Sequence, residues 1–273
     1  MALYEDLKRT DYLEPLIPLL RSGQLKLDLS RNKIILGPNA FETEPDLPWI
    51  FSSIPQDRYC YKWSNIYRKL YGMIPRGCFK CWKVVTRPRT LGQVFKLEKL
   101  QGKLGYPGKC GIEKRLYATF KGIYAGFWYV PMGFSVEEAR EFCKMLEGEV
   151  VRNVGLGIPV FLKRACTEIE NLVGPSNEWK RSIAMEAMED ELDELLDVPT
   201  PGFSQPELYK RHVRASWIEY AFERGDETVK DFVDNFPGSF GVTPTVTYDK
   251  EIPKITYTPE EAENGDYPKT QRL

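Results

Sequence analysis

The middle of the chain has the most regular alternation of apolar and polar residues. Four segments rich in β-branched and aromatic residues predict β-strands: 81–87, 109–120, 124–131 and 158–163. Two segments repeat apolar residues at helical spacing, 90–103 behind the N-cap residue Thr90 and 135–147 behind the capping box of Ser135 and Glu138. The order β-α-β-β-α-β predicts an α+β fold with a central ferredoxin-like (split βαβ) unit.

The flanking segments predict further elements. Before the central unit we expect a helix at 14–21, an N-terminal hairpin of strands 24–29 and 33–36, a loop at 37–48 and a helix at 63–71. After it we expect C-terminal helices at 176–196, 204–224 and 226–236, with Ser176, Ser204 and Asp226 as caps. These elements predict four regions: 1–57, a basic core at 58–175, an acidic helical region at 176–236 and an extended or disordered tail at 237–273.

Composition narrows the class of protein. The 273 residues are 42% apolar and 28% charged, which is typical of a globular protein. No apolar run is long enough for a transmembrane helix and no secretory signal is present, so we expect a cytoplasmic protein. In a reducing compartment its six cysteines are thiols or metal ligands before they are disulfides.

Charge is strongly segregated although the total is only −1. Residues 58–121 hold 16 Lys and Arg against 2 Asp and Glu, a net +14, whereas residues 1–57 carry −3 and residues 122–273 carry −12. A field of this density attracts polyanions such as nucleic acid. The alternative is an ordinary basic surface that pairs with the acidic remainder of the same chain.

Strand alternation predicts a basic and aromatic sheet face. If Trp82, Val84, Leu116, Trp128 and Val130 face the helices, cations and rings are presented together on the other side. Cations can neutralise phosphates there while rings stack on unpaired bases. The alternative is that the rings fill a core. The predicted nucleic-acid contacts are Tyr61, Trp63, Arg68, Lys80, Lys83, Arg87, Arg89, Arg115, Tyr117, Phe127 and Tyr129.

Cysteine spacing indicates a second candidate site. Cys78 and Cys81 form a CxxC immediately before the first predicted strand, and Cys110 opens the second. Because parallel strands begin at the same edge of a sheet, we expect these thiols to converge, with Cys60 or Cys166 as the fourth ligand of one structural zinc ion. An iron–sulfur cluster and unligated, partly buried thiols are the alternatives.

Signatures of catalysis are few. His212 is the only histidine, and no phosphate-binding GxxxxGK[ST] motif occurs, so we expect no enzyme. The favoured function is binding of single-stranded DNA or RNA, with the acidic helix 186–197 or the C-terminal tail contacting a protein partner. One alternative is an assembly protein whose basic segment binds an acidic surface of a neighbouring subunit. A second alternative is a metal-dependent nuclease.

Overall fold

The computed structural model describes residues 12–40, 48–55, 59–60, 62–112, 124–166, 169–170, 173–199 and 205–233. The chain divides into two compact units. The first unit comprises Met1–Pro45, Gln56–Lys80 and Glu168–Gly202, and the second comprises Asp46–Pro55, Cys81–Thr167 and Phe203–Leu273. Within the described part of the chain, no helix is long and apolar enough to cross a membrane.

The strands are β1 (Leu25–Asp28), β2 (Lys33–Leu36), β3 (Trp49–Ser53), β4 (Trp82–Thr86), β5 (Gly108–Ile112), β6 (Tyr124–Tyr129), β7 (Val160–Arg164) and β8 (Leu196–Asp197). The α-helices are α1 (Ile17–Arg21), α2 (Lys69–Tyr71), α3 (Arg76–Phe79), α4 (Leu91–Leu104), α5 (Val136–Asn153), α6 (Ile183–Leu195) and α7 (Glu207–Glu223). Shorter helical turns are 3-10 helices at Glu14–Leu16 and Glu227–Asp231 and a π-helix at Lys62–Arg68.

The second unit is built on a five-stranded sheet in the order β3-β5-β6-β4-β7. All four neighbouring pairs are antiparallel, so β4 and β5 run in the same direction with β6 between them. Helix α4 connects β4 to β5, and α5 connects β6 to β7. Together with the three-stranded sheet β1-β2-β8 of the first unit, this confirms the predicted mixed α+β class.

One face of the five-stranded sheet forms the core with α4, α5 and α7. Val84 and Trp128 are directly opposite each other on β4 and β6, and both are fully buried in this core. Their helical neighbours include Leu97, Leu146 and Trp217. Burying one such side chain contributes about 1.5–3 kcal/mol, so this layer is the main source of stability in the unit. The predicted orientation of Trp82, Val84, Trp128 and Val130 toward the helices is confirmed, while Leu116 lies outside the described residues.

The starts of α4 and α5 confirm the predicted caps. The Thr90 side chain accepts a hydrogen bond from the Gln93 amide, which satisfies one of the free N–H groups in the first turn. Ser135 and Glu138 exchange both bonds of a capping box. These local signals therefore fix where both helices of the central unit begin.

The first unit contains the predicted N-terminal hairpin, in which β1 pairs with β2 from Leu25↔Leu36 to Asp28↔Lys33. Strand β8 adds to β2 in parallel, directly after α6. The helix predicted at 63–71 is a π-helix that continues into α2. It stops at Gly72, whose φ of 60° lies in the left-handed region that glycine adopts without penalty.

Several predicted boundaries differ from the structure. Strand β3 directly follows a predicted loop and was not expected. Helix α6 begins at Ile183 behind the cap Ser182, because Pro175 and its neighbours form a turn instead of the helix start predicted at Ser176. Strand β5 ends at Ile112 within the described residues, and the rest of the strand predicted to 120 lies outside them, as do Ser204 and the tail.

Substitutions at two glycines of the second unit test this packing, because they should change the free energy of unfolding in opposite directions. A Cβ at Gly111 would lie 2.0 Å from the Pro48 carbonyl oxygen, so Gly111→Ala should lower the free energy of unfolding by about 1–3 kcal/mol. A Cβ at Gly102, in the last turn of α4, meets nothing within 4 Å, so Gly102→Ala should raise it by about 0.5–1 kcal/mol. Urea unfolding measures both changes, and equal effects would contradict the described β3–β5 register.

Candidate nucleic-acid interface

A lysine surrounded by aromatic rings lies on the sheet face opposite α4 and α5. We call Trp49, Phe51, Lys109 and Phe127 the Lys109 cluster. The Lys109 ammonium is 4.5 Å from the ring centre of Trp49 and 5.6 Å from those of Phe51 and Phe127. The rings of Trp49 and Phe127 meet edge to face, with centres 5.6 Å apart. The cluster thus places a cation among flat apolar surfaces.

Strand register brings the cluster together. Lys109 on β5 is opposite Phe51 on β3 and Phe127 on β6. On β3, Trp49 and Phe51 share a face because side chains alternate, whereas Ile50 between them is buried in the helix-side core. The Gln101 side chain reaches from α4 to donate to the carbonyl oxygens of Lys109 and Phe127, at 3.1 and 3.0 Å, which ties both backbones to the helix layer.

The outer strand β3 is held by a side-chain amide. Gln205, just before α7, accepts a hydrogen bond from the Phe51 amide at 2.8 Å and donates to the Trp49 carbonyl oxygen at 2.9 Å. A peptide of a neighbouring strand would make the same two bonds. Gln205 therefore stabilises the strand that supplies two of the three rings.

A second lysine and ring pair lies on the same face. Lys83 on β4 is opposite Tyr129 on β6, and its ammonium is 5.5 Å from the ring centre. Exposure differs across the sheet, since Phe51, Lys109, Phe127 and Tyr129 are partly exposed whereas Trp49 and Lys83 are each 8% exposed. Accessible rings and charge are therefore concentrated on β3, β5 and β6.

The predicted contact residues are distributed over both units. In the second unit, Phe127 and Tyr129 are partly exposed and Arg89 is exposed, but Lys83 and Arg87 are only 8% and 4% exposed, so a phosphate group has little access to them. In the first unit, Trp63 is buried, Arg68 is partly buried and Lys80 is exposed. The remaining predictions, Tyr61, Arg115 and Tyr117, lie outside the described residues.

Sequence reasoning missed three members of the cluster. Trp49 and Phe51 lie on the unpredicted strand β3, and Lys109 was placed on a strand but not assigned to the site. The signal was present, because Trp49, Ile50 and Phe51 follow Pro48 as a run with high strand propensity. Without the pairing of β3 with β5, nothing in the run connects it to Lys109.

The predicted zinc site is not supported. Among the described residues, no group of three or more His, Cys, Asp or Glu side chains could hold a metal ion. Cys110 is level with Gly126 and Thr86, about 16 Å along the strands from Cys81, because β5 begins at Gly108, level with Val84, and Cys110 is two residues further along. Burial also raises the pKa of the Cys110 thiol, as does the Glu98 charge, and a protonated thiol is a poor metal ligand.

Carboxylates of the acidic helix α6 pair with cations of the basic segment within the first unit. Asp193 accepts bonds from Lys62 at 2.6 Å and Tyr67 at 2.5 Å, and Asp190 bonds to Arg76. Glu189, 1% exposed, accepts from the Arg76 amide at 3.0 Å. This part of the +14 segment therefore meets acids of its own chain, as the alternative interpretation of the charge pattern expects.

No family model, curated protein or solved structure matches the chain.

The rate of hydrogen exchange at the Phe51 backbone amide tests the role of Gln205. In Gln205→Ala the amide loses its acceptor, so hydrogen exchange at Phe51 should accelerate about five- to tenfold, which corresponds to about 1 kcal/mol. The matched control is Gln93→Ala, which removes the acceptor of the Arg89 amide at the start of α4 and should leave Phe51 unchanged. Unchanged protection of Phe51 in Gln205→Ala would contradict the assigned bond.

Substitution of the buried Glu189 tests the contribution of ion pairs to the stability of the first unit. Glu189 accepts from Arg181 at 2.6 Å, and both side chains are largely buried. Glu189→Gln should lower the free energy of unfolding by about 2–4 kcal/mol, because Arg181 is left buried without its counter-charge. Glu186→Gln, whose carboxylate is 62% exposed and 3.9 Å from Arg181, should change it by less than about 0.5 kcal/mol. Similar unfolding midpoints in urea for the two variants would argue against this assignment.

Proposed function

We propose that the chain binds single-stranded nucleic acid through the Lys109 cluster and Tyr129. The observation that carries the proposal is the position of the Lys109 ammonium over three aromatic rings on one sheet face. Unpaired bases need a flat apolar partner and phosphates need a cation, and this cluster offers both within one side-chain length.

The interaction energies favour replacement of the Lys109 ammonium by a nucleic-acid base at the face of a ring. An ammonium over a ring at a partly exposed site contributes about 0.5–1 kcal/mol, whereas a base stacked on a ring contributes about 1–3 kcal/mol. A base can therefore displace the Lys109 ammonium from a ring face, and the displaced ammonium can then pair with the adjoining phosphate. Lys83 and Arg87 are left out of the proposed contact surface because they are buried, and Trp49 is equally buried, so the rings that a base can reach are those of Phe51, Phe127 and Tyr129.

The proposed fold of the central unit is ferredoxin-like. Its support is the strand order β5-β6-β4-β7 with α4 and α5 in the two crossovers, which agrees with a split βαβ connectivity. Helices α4 and α5 cover one face of this sheet, and the Lys109 cluster lies on the other face. Strand β3 extends the sheet beside β5 and adds two rings to that face.

Fluorescence anisotropy with labelled single-stranded and duplex oligonucleotides at two salt concentrations tests the proposal. The full chain should prefer single strands and bind more weakly at higher salt. Lys109→Met should reduce the magnitude of the salt slope by about 0.7, the value for one phosphate contact on a single strand. Phe127→Leu should weaken single-strand binding about tenfold, because one stacking surface is lost.

The matched control is Lys99→Met, which removes an exposed cation from α4 on the helix side of the sheet and should leave affinity nearly unchanged. Absent or salt-independent binding would overturn the proposal, and so would equal effects of Lys99→Met and Lys109→Met. A discrete oligomer that dissociates in 1 M salt and binds no oligonucleotide, as measured by light scattering, would favour assembly instead.

A further inference from the structure

A buried lysine contacts a cysteine at the end of β7. The Lys83 ammonium donates a hydrogen bond to the Cys166 sulfur, with an N–S distance of 2.9 Å. Lys83 is 8% exposed, while Cys166, two residues beyond the strand, is partly exposed. A thiol that water and small molecules can reach is therefore held against an ammonium that is largely removed from water.

Backbone geometry directs Cys166 toward Lys83. Ala165 has a φ of 57°, in the left-handed region, and its amide donates to the Cys81 carbonyl oxygen at 2.7 Å. If strand alternation continued, Cys166 would share the helix-side face of Arg164, which is opposite Trp82. The left-handed residue changes this direction at a steric cost, because the Cβ of an alanine in this conformation comes close to the following carbonyl oxygen. Strain of this kind persists where the surrounding structure enforces it, and functional sites are common among such places.

The charges around the sulfur favour a thiolate. Lys163 on β7 is directly opposite Lys83 and is 3% exposed, so two largely buried lysines share this position of the sheet. An ammonium within hydrogen-bond distance lowers the pKa of a cysteine and increases its thiolate fraction. Burial by itself lowers the pKa of Lys83, but the interactions of its ammonium with Cys166, Cys81 and Tyr129 outweigh burial and raise it above its ordinary value.

The other cysteines of the second unit have different surroundings. Cys110 is fully buried, and burial raises its pKa. Cys143 on α5 is partly buried, and burial together with the Glu147 charge raises its pKa to about 12. Cys81 is 3% exposed. Partial exposure and a lysine contact occur together at Cys166 and not at these three.

We infer that Cys166 is a nucleophilic thiolate and a site of covalent modification by peroxides and soft electrophiles. With hydrogen peroxide, the sulfur attacks one oxygen, the S–O bond forms and the O–O bond breaks, and hydroxide leaves and takes a proton from solvent. The sulfur loses two electrons, the peroxide gains them, and the product is a sulfenic acid. With an alkylating agent such as iodoacetamide, the S–C bond forms and iodide leaves.

Competitive alkylation of the folded chain tests this inference. With a limiting amount of iodoacetamide, peptide mass spectrometry should show Cys166 labelled at least about tenfold faster than Cys143. Lys83→Met keeps the length of the side chain but removes the ammonium, and it should slow labelling of Cys166 about tenfold, whereas Lys83→Arg should preserve much of the rate. Lys99→Met, which removes an exposed lysine from α4 on the helix side of the sheet, is the control and should leave the rate unchanged.

Two results would overturn the inference: labelling of Cys166 in the wild-type chain no faster than that of Cys143, or an unchanged rate in a folded Lys83→Met variant. The first comparison needs no variant, so it remains decisive if circular dichroism shows that Lys83→Met does not fold. Brief exposure to hydrogen peroxide followed by dimedone should place the sulfenic-acid adduct on Cys166 in preference to Cys143. An adduct on Cys143 instead would count against the inference.

Discussion

The alternation of side chains along the strands, with a period of two residues, determines which residues of the second unit form its core and which lie on the opposite sheet face. Once helices cover one face of a sheet, every strand has to send alternate residues into an apolar core and the others to the opposite side. On β6, Trp128 enters the core while Phe127 and Tyr129 meet lysines of the neighbouring strands. On β3, Ile50 enters the core between Trp49 and Phe51. The rings and cations of the opposite face are therefore gathered by the same alternation that builds the core.

Charge segregation along the sequence has two different outcomes in the structure. In the first unit, cations of the basic segment bind carboxylates of α6, and the buried Glu189 is held by Arg181 and the Arg76 amide. In the second unit, Lys109 lies over rings and Lys83 over a ring and a sulfur. Net charge per segment therefore does not measure how much positive charge an anionic ligand can reach.

The sequence predicted most accurately those structural features that short-range interactions determine. Thr90, Ser135 and Gly72 fix helix ends through bonds or dihedrals within a few residues, and all three were identified. The orientation of Trp82, Val84 and Trp128 toward the helices also follows from the local alternation of side chains along a strand. Long-range pairing was the weak point, because the register of β5 moved Cys110 away from Cys81, and the attachment of β3 to β5 created the Lys109 cluster. A single sequence carries no local signal for either pairing.

The amide of Gln205 has a further consequence for how the molecule behaves at high concentration. An outer strand with open hydrogen-bonding groups invites a strand from another chain, and continued addition leads to aggregates. Gln205 occupies the Phe51 amide and the Trp49 carbonyl group with a single side chain that cannot itself be extended. Growth of the sheet beyond β3 is thereby disfavoured, while the partly exposed Phe51 ring of that strand stays available for a ligand that stacks and does not pair with the backbone.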